Sequence, residues 1–168
     1  MAKNLEIKVK LNSHKEIKNI LSVNKISFKE RLQQKDIYYE VPSGLLKLRI
    51  ENGKQTLIFY QRNEESKNRW SDYFLLDITT KNSEKFLDKF LNRVVEVIKI
   101  RELYVYKNTR IHLDKVYKLG YFLELETRVV NGLRDAEKRF NFLVDLLELK
   151  KYPELRTTYR NLIIEKSK

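Results

Sequence analysis

Cysteine is absent from the 168 residues, so disulfides and thiolate metal sites are excluded. Glycine and proline are scarce, at 4 and 2, and no Ser/Gly-rich run divides the chain, so a single domain over residues 1–168 is expected. No GxxxxGK[ST] loop occurs, and any phosphate must therefore be held by side chains rather than by a backbone cradle. The histidines number only 2, far apart at His14 and His112, and no Ser/His/Asp or Cys/His set is available for covalent catalysis. No apolar run approaches a membrane span, and Met1-Ala2-Lys3-Asn4-Leu5-Glu6 lacks the apolar core of a signal peptide. A soluble, cytoplasmic protein with no membrane partner is expected.

What the chain has in plenty is charge. Hydrophobic residues make up 42%, enough to fold, and charged residues 35%, with a net charge of +12. That excess favours an anionic partner such as a nucleotide, a polyphosphate, nucleic acid or an acidic membrane. The 10 Tyr and 8 Phe interleave with basic residues, but no aromatic signature of an RNA-recognition domain stands out, so nucleic acid is not the expected partner.

The charge is patterned. Glu6-Ile-Lys8-Val-Lys10, Lys47-Leu-Arg49, Lys99-Ile-Arg101, Arg110-Ile-His112-Leu-Asp114 and Glu124-Leu-Glu126 each alternate a charged residue with an apolar one. Alternation is the period of a strand, so in each segment the charges share one face. Strand segments are expected over residues 5–11, 28–32, 37–41, 45–51, 56–62, 70–79, 95–106, 109–117 and 121–130, nine segments that make up about eight strands. Asn52-Gly53 marks a hairpin, and residues 63–69 read as a polar loop. Helices are expected after Asn12-Ser13, over residues 83–94 and over residues 134–147, with a short last element over residues 156–164.

Mostly sequential strands with a few amphipathic helices give the α+β class. So many strands tend to close, and an eight-stranded antiparallel closed β-barrel with flanking helices is expected. A charged interior is consistent with closure only around a wet, charged ligand, with helices on the apolar outer face. The charged positions are almost purely ionic rather than Thr, Ser or Gln. Lys and Arg suit phosphate oxygens, and clustered carboxylates suit a hard divalent cation. Glu124 and Glu126 lie about 7 Å apart along one strand face and repel unless a cation or an arginine such as Arg128 neutralises them.

At these residues the chain resembles the CYTH, or triphosphate tunnel metalloenzyme, superfamily. Glu6-x-Lys8-x-Lys10 is similar to its ExExK signature, Lys47-x-Arg49 to RxR, and Leu57-Ile-Phe-Tyr60-Gln-Arg62 to the next basic strand. Lys99-x-Arg101 resembles KxR, Arg110-Ile-His-Leu-Asp114 RxxxLD, and Glu124-x-Glu126 ExE. Thr158-Tyr-Arg-Asn-Leu162 resembles the SYxDL stretch of the class IV adenylate cyclase branch. The resemblance implies a tunnel holding a triphosphate, with Mg2+ or Mn2+ on carboxylates, in an adenylate cyclase or a thiamine, inorganic or RNA triphosphatase. It implies Glu6, Glu124 and Glu126 as metal ligands, with Asp114 a further one. It implies Lys10, Lys47, Arg49, Arg62, Lys99, Arg101 and Arg110 on phosphates, with Lys10, Arg49 and Arg110 in the catalytic role.

The implied partners are ATP, thiamine triphosphate or tripolyphosphate, and a homodimer is admitted. Three departures stand out: Lys8 replaces the second Glu of ExExK, Lys47 the first Arg of RxR, and Ser71-Asp72-Tyr73 the usual RxE. Lys8 counts with the phosphate-binding residues. As a built-in cation it also allows a different reading, a module that binds nucleotide or polyphosphate without turning it over. A third reading, a basic RNA-binding protein, has the charged strands facing outward.

Overall fold

The computed structural model describes residues 4–62 and 71–168. Among the described residues there are eight strands: β1 (Asn4–Leu11), β2 (Ser27–Tyr39), β3 (Leu45–Glu51), β4 (Lys54–Arg62), β5 (Ser71–Ile78), β6 (Arg93–Tyr106), β7 (Thr109–Val116) and β8 (Gly120–Arg128). Four helices accompany them: α1 (Lys15–Val23), α2 (Ser83–Leu87), α3 (Leu133–Leu146) and α4 (Tyr159–Lys166). The strands form one antiparallel sheet in the order β1-β8-β7-β6-β2-β3-β4-β5.

The α+β class is as expected, but the closed barrel is not formed. β1 and β5 end the strand order and are not neighbours. The free side of β1 is taken instead by the chain after α3, where Val9 bridges Glu154 and the Leu155 N–H donates to the Lys8 carbonyl at 2.8 Å. Covering an edge strand in this way removes its unpaired backbone groups.

The chain divides into two compact units, Met1–Leu32 with Ile100–Thr157, and Gln33–Lys99 with Thr158–Lys168. Two of the boundaries fall inside β2 and β6, and the third just before α4. In the first unit the odd-numbered positions of β1, β7 and β8 bury Val9, Leu11, Ile111, Leu113, Leu123 and Leu125. Ile17 and Leu21 of α1 and Leu143 and Val144 of α3 complete that core, so helices cover the apolar face as expected. Leu123 and Leu143 are fully buried, and truncating either to Ala costs about 2–5 kcal/mol. Arg139 fastens α3 to the ends of β7 and β8, donating to the Thr109 hydroxyl at 3.4 Å and to the Arg128 carbonyl at 2.9 Å.

In the second unit Ile37, Tyr39 and Leu48 form a smaller core, with Leu57, Leu87 and Leu91 against it. The Asn52-Gly53 hairpin is as read from the sequence, with positive φ at both residues (47° and 84°), the backbone of a tight two-residue turn. Gly44, before β3, also has φ at +71°, and a Cβ there would lie 2.8 Å from the Phe59 ring. Two expectations fail. The strands expected over 28–32 and 37–41 are one strand, β2. The helix expected over 83–94 ends at Leu87, because Arg93 is tied back to Glu84 and Asp88 at 2.7 and 2.5 Å and the β-branched Val94-Val95 continue as β6. Phe86 and Phe90 therefore lie exposed against each other, not in a core. The expected loop at residues 63–69 and the start of the strand expected at Trp70 lie outside the described residues.

Candidate functional site

Charged residues are brought together on the other face of the strands in each unit. In the second unit, β2 and β3 pair Asp36 with Arg49 and Tyr38 with Lys47. Asp36 is 3% exposed. Arg49 grips it with both arms of the guanidinium, Nε to Oδ1 and Nη2 to Oδ2 at 2.7 Å each, and Lys47 Nζ donates to Oδ2 at 2.7 Å. Burial alone would push the Asp36 carboxyl up. The charge of Lys47, the hydrogen bonds and charge of Arg49, and the charge of Lys99 outweigh it and hold the group well below the usual carboxylate range.

Aromatic rings wall this cluster. Lys47 Nζ lies 5.5 Å from the Tyr38 ring centroid and 5.9 Å from that of Tyr60. Lys99, 5% exposed, stands 5.1 Å from the Tyr159 ring, and the Arg160 guanidinium 5.9 Å from Tyr38. Contacts of this kind favour the charged form of a Lys or Arg taken out of water. Burial pushes the Tyr38 phenol well up, so it stays a neutral hydroxyl. Tyr159 and Arg160 reach this place because Thr158 caps α4, its Oγ1 accepting from the Asn161 N–H at 3.1 Å.

In the first unit the register sets out three rows on β1, β8 and β7: Glu6, Glu126 and Arg110; Lys8, Glu124 and His112; Lys10, Phe122 and Asp114. Asp114 is fully buried, and Arg101 of β6 holds both its oxygens, at 2.7 and 2.6 Å. The same guanidinium donates to Glu124 Oε2 at 3.2 Å. Lys8 Nζ lies 3.9 Å from the other oxygen of Glu124 and donates to the Thr157 carbonyl at 3.4 Å. Glu6 and Glu126 face each other across the ladder. Asn4 Nδ2 donates to Glu126 Oε1 at 2.8 Å, and Arg110 Nη1 lies 3.7 Å from it. Arg110 thus takes the neutralising place assigned to Arg128, and the Asn4 amide adds a neutral hydrogen bond.

The residues expected at a site fall into three groups. Arg101, Lys8, Glu124 and Asp114 are in one cluster, and Lys47, Arg49 and Lys99 are in another. Glu6, Glu126, Arg110 and the exposed Lys10 lie on the face of the first unit. Arg62 belongs to β4, and its side chain is outside the described residues. Asp114, expected as a further metal ligand, is fully buried, with both its oxygens on the Arg101 guanidinium that it holds in place. Among the described residues no group of three His, Asp or Glu is placed to hold a metal. The hard oxygens of Glu6, Glu124 and Glu126 on one face suit Mg2+ or Mn2+ in kind, with Lys8 beside Glu124.

Asp36, Tyr38, Tyr60, Tyr159 and Arg160 were not among the expected site residues. One signal for Asp36 was present: it precedes Arg49 by 13 residues, as Asp114 follows Arg101 by 13. Each Lys-x-Arg strand therefore has its arginine locked onto a buried aspartate of the neighbouring strand.

No curated protein matches the chain. Among solved structures, the PH1012 protein of Pyrococcus horikoshii OT3 superposes with a TM-score of 0.80 at 22% identity, over 95% of this chain and 98% of its own. The PH1819 protein of the same organism gives 0.74 at 28% identity, over 97% and 99%. A candidate adenylate cyclase of Vibrio parahaemolyticus gives 0.69 at 18%, over 96% and 97%, a likeness of fold. The CYTH domain profile matches residues 2–157, and the chain belongs to the CYTH domain family.

Proposed function

We propose that this protein binds a triphosphate-bearing small molecule on its charged strand face and acts on it with the help of a divalent cation. The CYTH family binds triphosphates and is generally dependent on divalent metal. The observation that carries the reading is the pair of arginines aimed by buried aspartates. Arg49 on Asp36 and Arg101 on Asp114 are held at 2.6–2.7 Å, so their orientation is set before any ligand arrives. Preset donors lose little entropy on binding and match phosphate oxygens in pairs. Lys47, Lys99 and Arg160 add positive charge beside Tyr38, Tyr60 and Tyr159 in surroundings where an anion is held more strongly than in water.

The motifs and the charge of each group support a division of labour. Each unit by itself presents a basic set for phosphoryl oxygens, Lys47, Arg49 and Lys99 in the second and Lys8, Lys10, Arg101 and Arg110 in the first. Arg49, Arg110 and Lys10 stabilise the charge that develops there as a bond breaks. Arg62 belongs to the phosphate-binding set by its motif alone. Glu6, Glu124 and Glu126 would hold Mg2+ or Mn2+, which would neutralise phosphate charge and orient the attacking oxygen. The attacking group is water for a triphosphatase, or the ribose 3′-hydroxyl for an adenylate cyclase of the class IV type. The test is a panel of ATP, GTP, thiamine triphosphate and tripolyphosphate with each metal, with products identified. No turnover of any of them would reject the enzyme.

A second reading, binding without turnover, is favoured by Lys8, whose ammonium lies beside Glu124 where a metal ligand is usual. It expects tight tripolyphosphate binding by calorimetry that is indifferent to Mg2+ and Mn2+.

A further inference from the structure

We propose that a second pocket, on the helix-covered side of the first unit, binds a compact phosphate-bearing anion. This pocket does not rest on the triphosphate reading. A cavity of about 440 Å³ opens beside α1, and Lys15, Lys18, Arg31, Lys115 and Glu102 line it. The strand pleat separates it from the charged face: Lys115 follows Asp114 on β7, and Tyr121 precedes Phe122 on β8, so each points to the opposite side.

Its charge is unbalanced. The single carboxylate of the lining, Glu102, is taken by Lys18 at 2.8 Å and accepts from the Tyr104 hydroxyl at 3.3 Å. Among the described residues, Lys15, Arg31 and Lys115 have no carboxylate partner. All three are exposed side chains that converge on one hollow, and like charges gathered in this way repel until an anion enters. The wall beside them is built rather than loose. Lys115 Nζ stands 5.6 Å from the Tyr121 ring centroid, and the buried His14 meets the same ring edge-on at 5.0 Å. The His14 ring is itself fixed by Nε2 at 3.1 Å from the Phe122 carbonyl. The volume lies within the range of small-ligand sites. Three cations on flexible stems suit a tetrahedral dianion, either free phosphate or a phosphomonoester of a small molecule.

The two histidines serve as reporters, since His14 lies in this wall and His112 on the charged face. The full-length protein is titrated with inorganic phosphate and, separately, with glycerol phosphate at constant ionic strength, with chloride as control. Ring signals of both histidines are followed by NMR. The expected result is a saturable shift of His14 without one at His112, tighter for the ester if the organic part contributes. The exposed double variant Lys15→Ala, Arg31→Ala should weaken binding at least tenfold while its melting curve stays near that of the parent. If the double variant does not fold, Lys115→Gln is used instead and carries the same expectation. A His14 shift that chloride reproduces, that never saturates or that the variants leave unchanged overturns the proposal. Failure of the triphosphate reading would show separately, as a His112 signal indifferent to tripolyphosphate.

Discussion

Replacing Asp36 by Asn is the sharpest test of how the second unit holds its cations. Asn keeps the shape and one acceptor oxygen, so volume is unchanged and charge is lost. The carboxylate is 4% exposed as a side chain, against 11% for Lys47 and 23% for Arg49. Removing one partner of a buried ion pair costs about 3–5 kcal/mol. The partial exposure of Arg49 argues for the lower end, about 3 kcal/mol. For a chain of this length that lowers Tm by about 6–12 °C. Thermal melts followed by circular dichroism at neutral pH would read it. Tripolyphosphate should then raise the Tm of Asp36→Asn more than that of the parent, because the ligand supplies the missing negative charge. A Tm within about 2 °C of the parent would refute the buried-charge reasoning. A fall in Tm with no larger rescue by ligand would refute the phosphate role of Lys47 and Arg49.

Titration gives the same test a second axis. The Asp36 carboxyl is lowered in the fold, so its stabilisation is present above the unfolded carboxylate pKa and is lost as pH falls through the folded value. The acid limb of stability should therefore be shallower in Asp36→Asn. Burial lowers the His14 pKa from 6.5, against the opposing pull of its bond to the Phe122 carbonyl. Its stability contribution is complete above about 6.5 and lost as pH falls through the folded value, so His14→Gln should flatten urea-derived stability below neutral pH. Glu126→Gln should cut metal-dependent turnover by about 100-fold or more while the melt changes little, and unchanged turnover would remove Glu126 from the metal set. Lys8→Glu places like charges directly opposite Glu124, so the metal-free protein should be less stable by up to about 1 kcal/mol and regain it with Mg2+ or Mn2+. Equal metal affinity in parent and variant, by calorimetry, would show that Lys8 does not compete for the metal.

Much of the fold was legible because its signals are local. Strand alternation placed the faces of β1, β3, β7 and β8, and Asn52-Gly53 placed a turn whose φ values few other residues adopt. Where an element depends on partners that its own periodicity does not reveal, the reading failed. Phe86, Leu87, Phe90 and Leu91 recur at helical spacing, but the salt bridges of Arg93 end the helix early, and no local pattern announces them. Closure depended on what meets the edge of β1. That edge is met by Glu154 and Leu155, residues 145 or more positions away and without any strand-like pattern of their own.

The candidate site is legible in its cations and less so in its acids, for a physical reason. A Lys or Arg on a strand face has the same chemistry wherever it points, so Lys47, Arg49, Lys99 and Arg101 were identifiable from alternation alone. A carboxylate has two opposite uses: open to a metal, or spent on a guanidinium. Which one holds is decided by burial and by one neighbouring arginine. Asp114 in the RxxxLD stretch is expected as a metal ligand by its motif, and in the structure Arg101 takes both its oxygens. Asp36 was passed over, although it does the same for Arg49. If the two aspartates are equivalent anchors, Asp114→Asn should behave as Asp36→Asn does, with a large loss of stability and no selective loss of metal affinity. A variant of Asp114 that kept its Tm but lost metal binding would restore it to the metal set and break the equivalence.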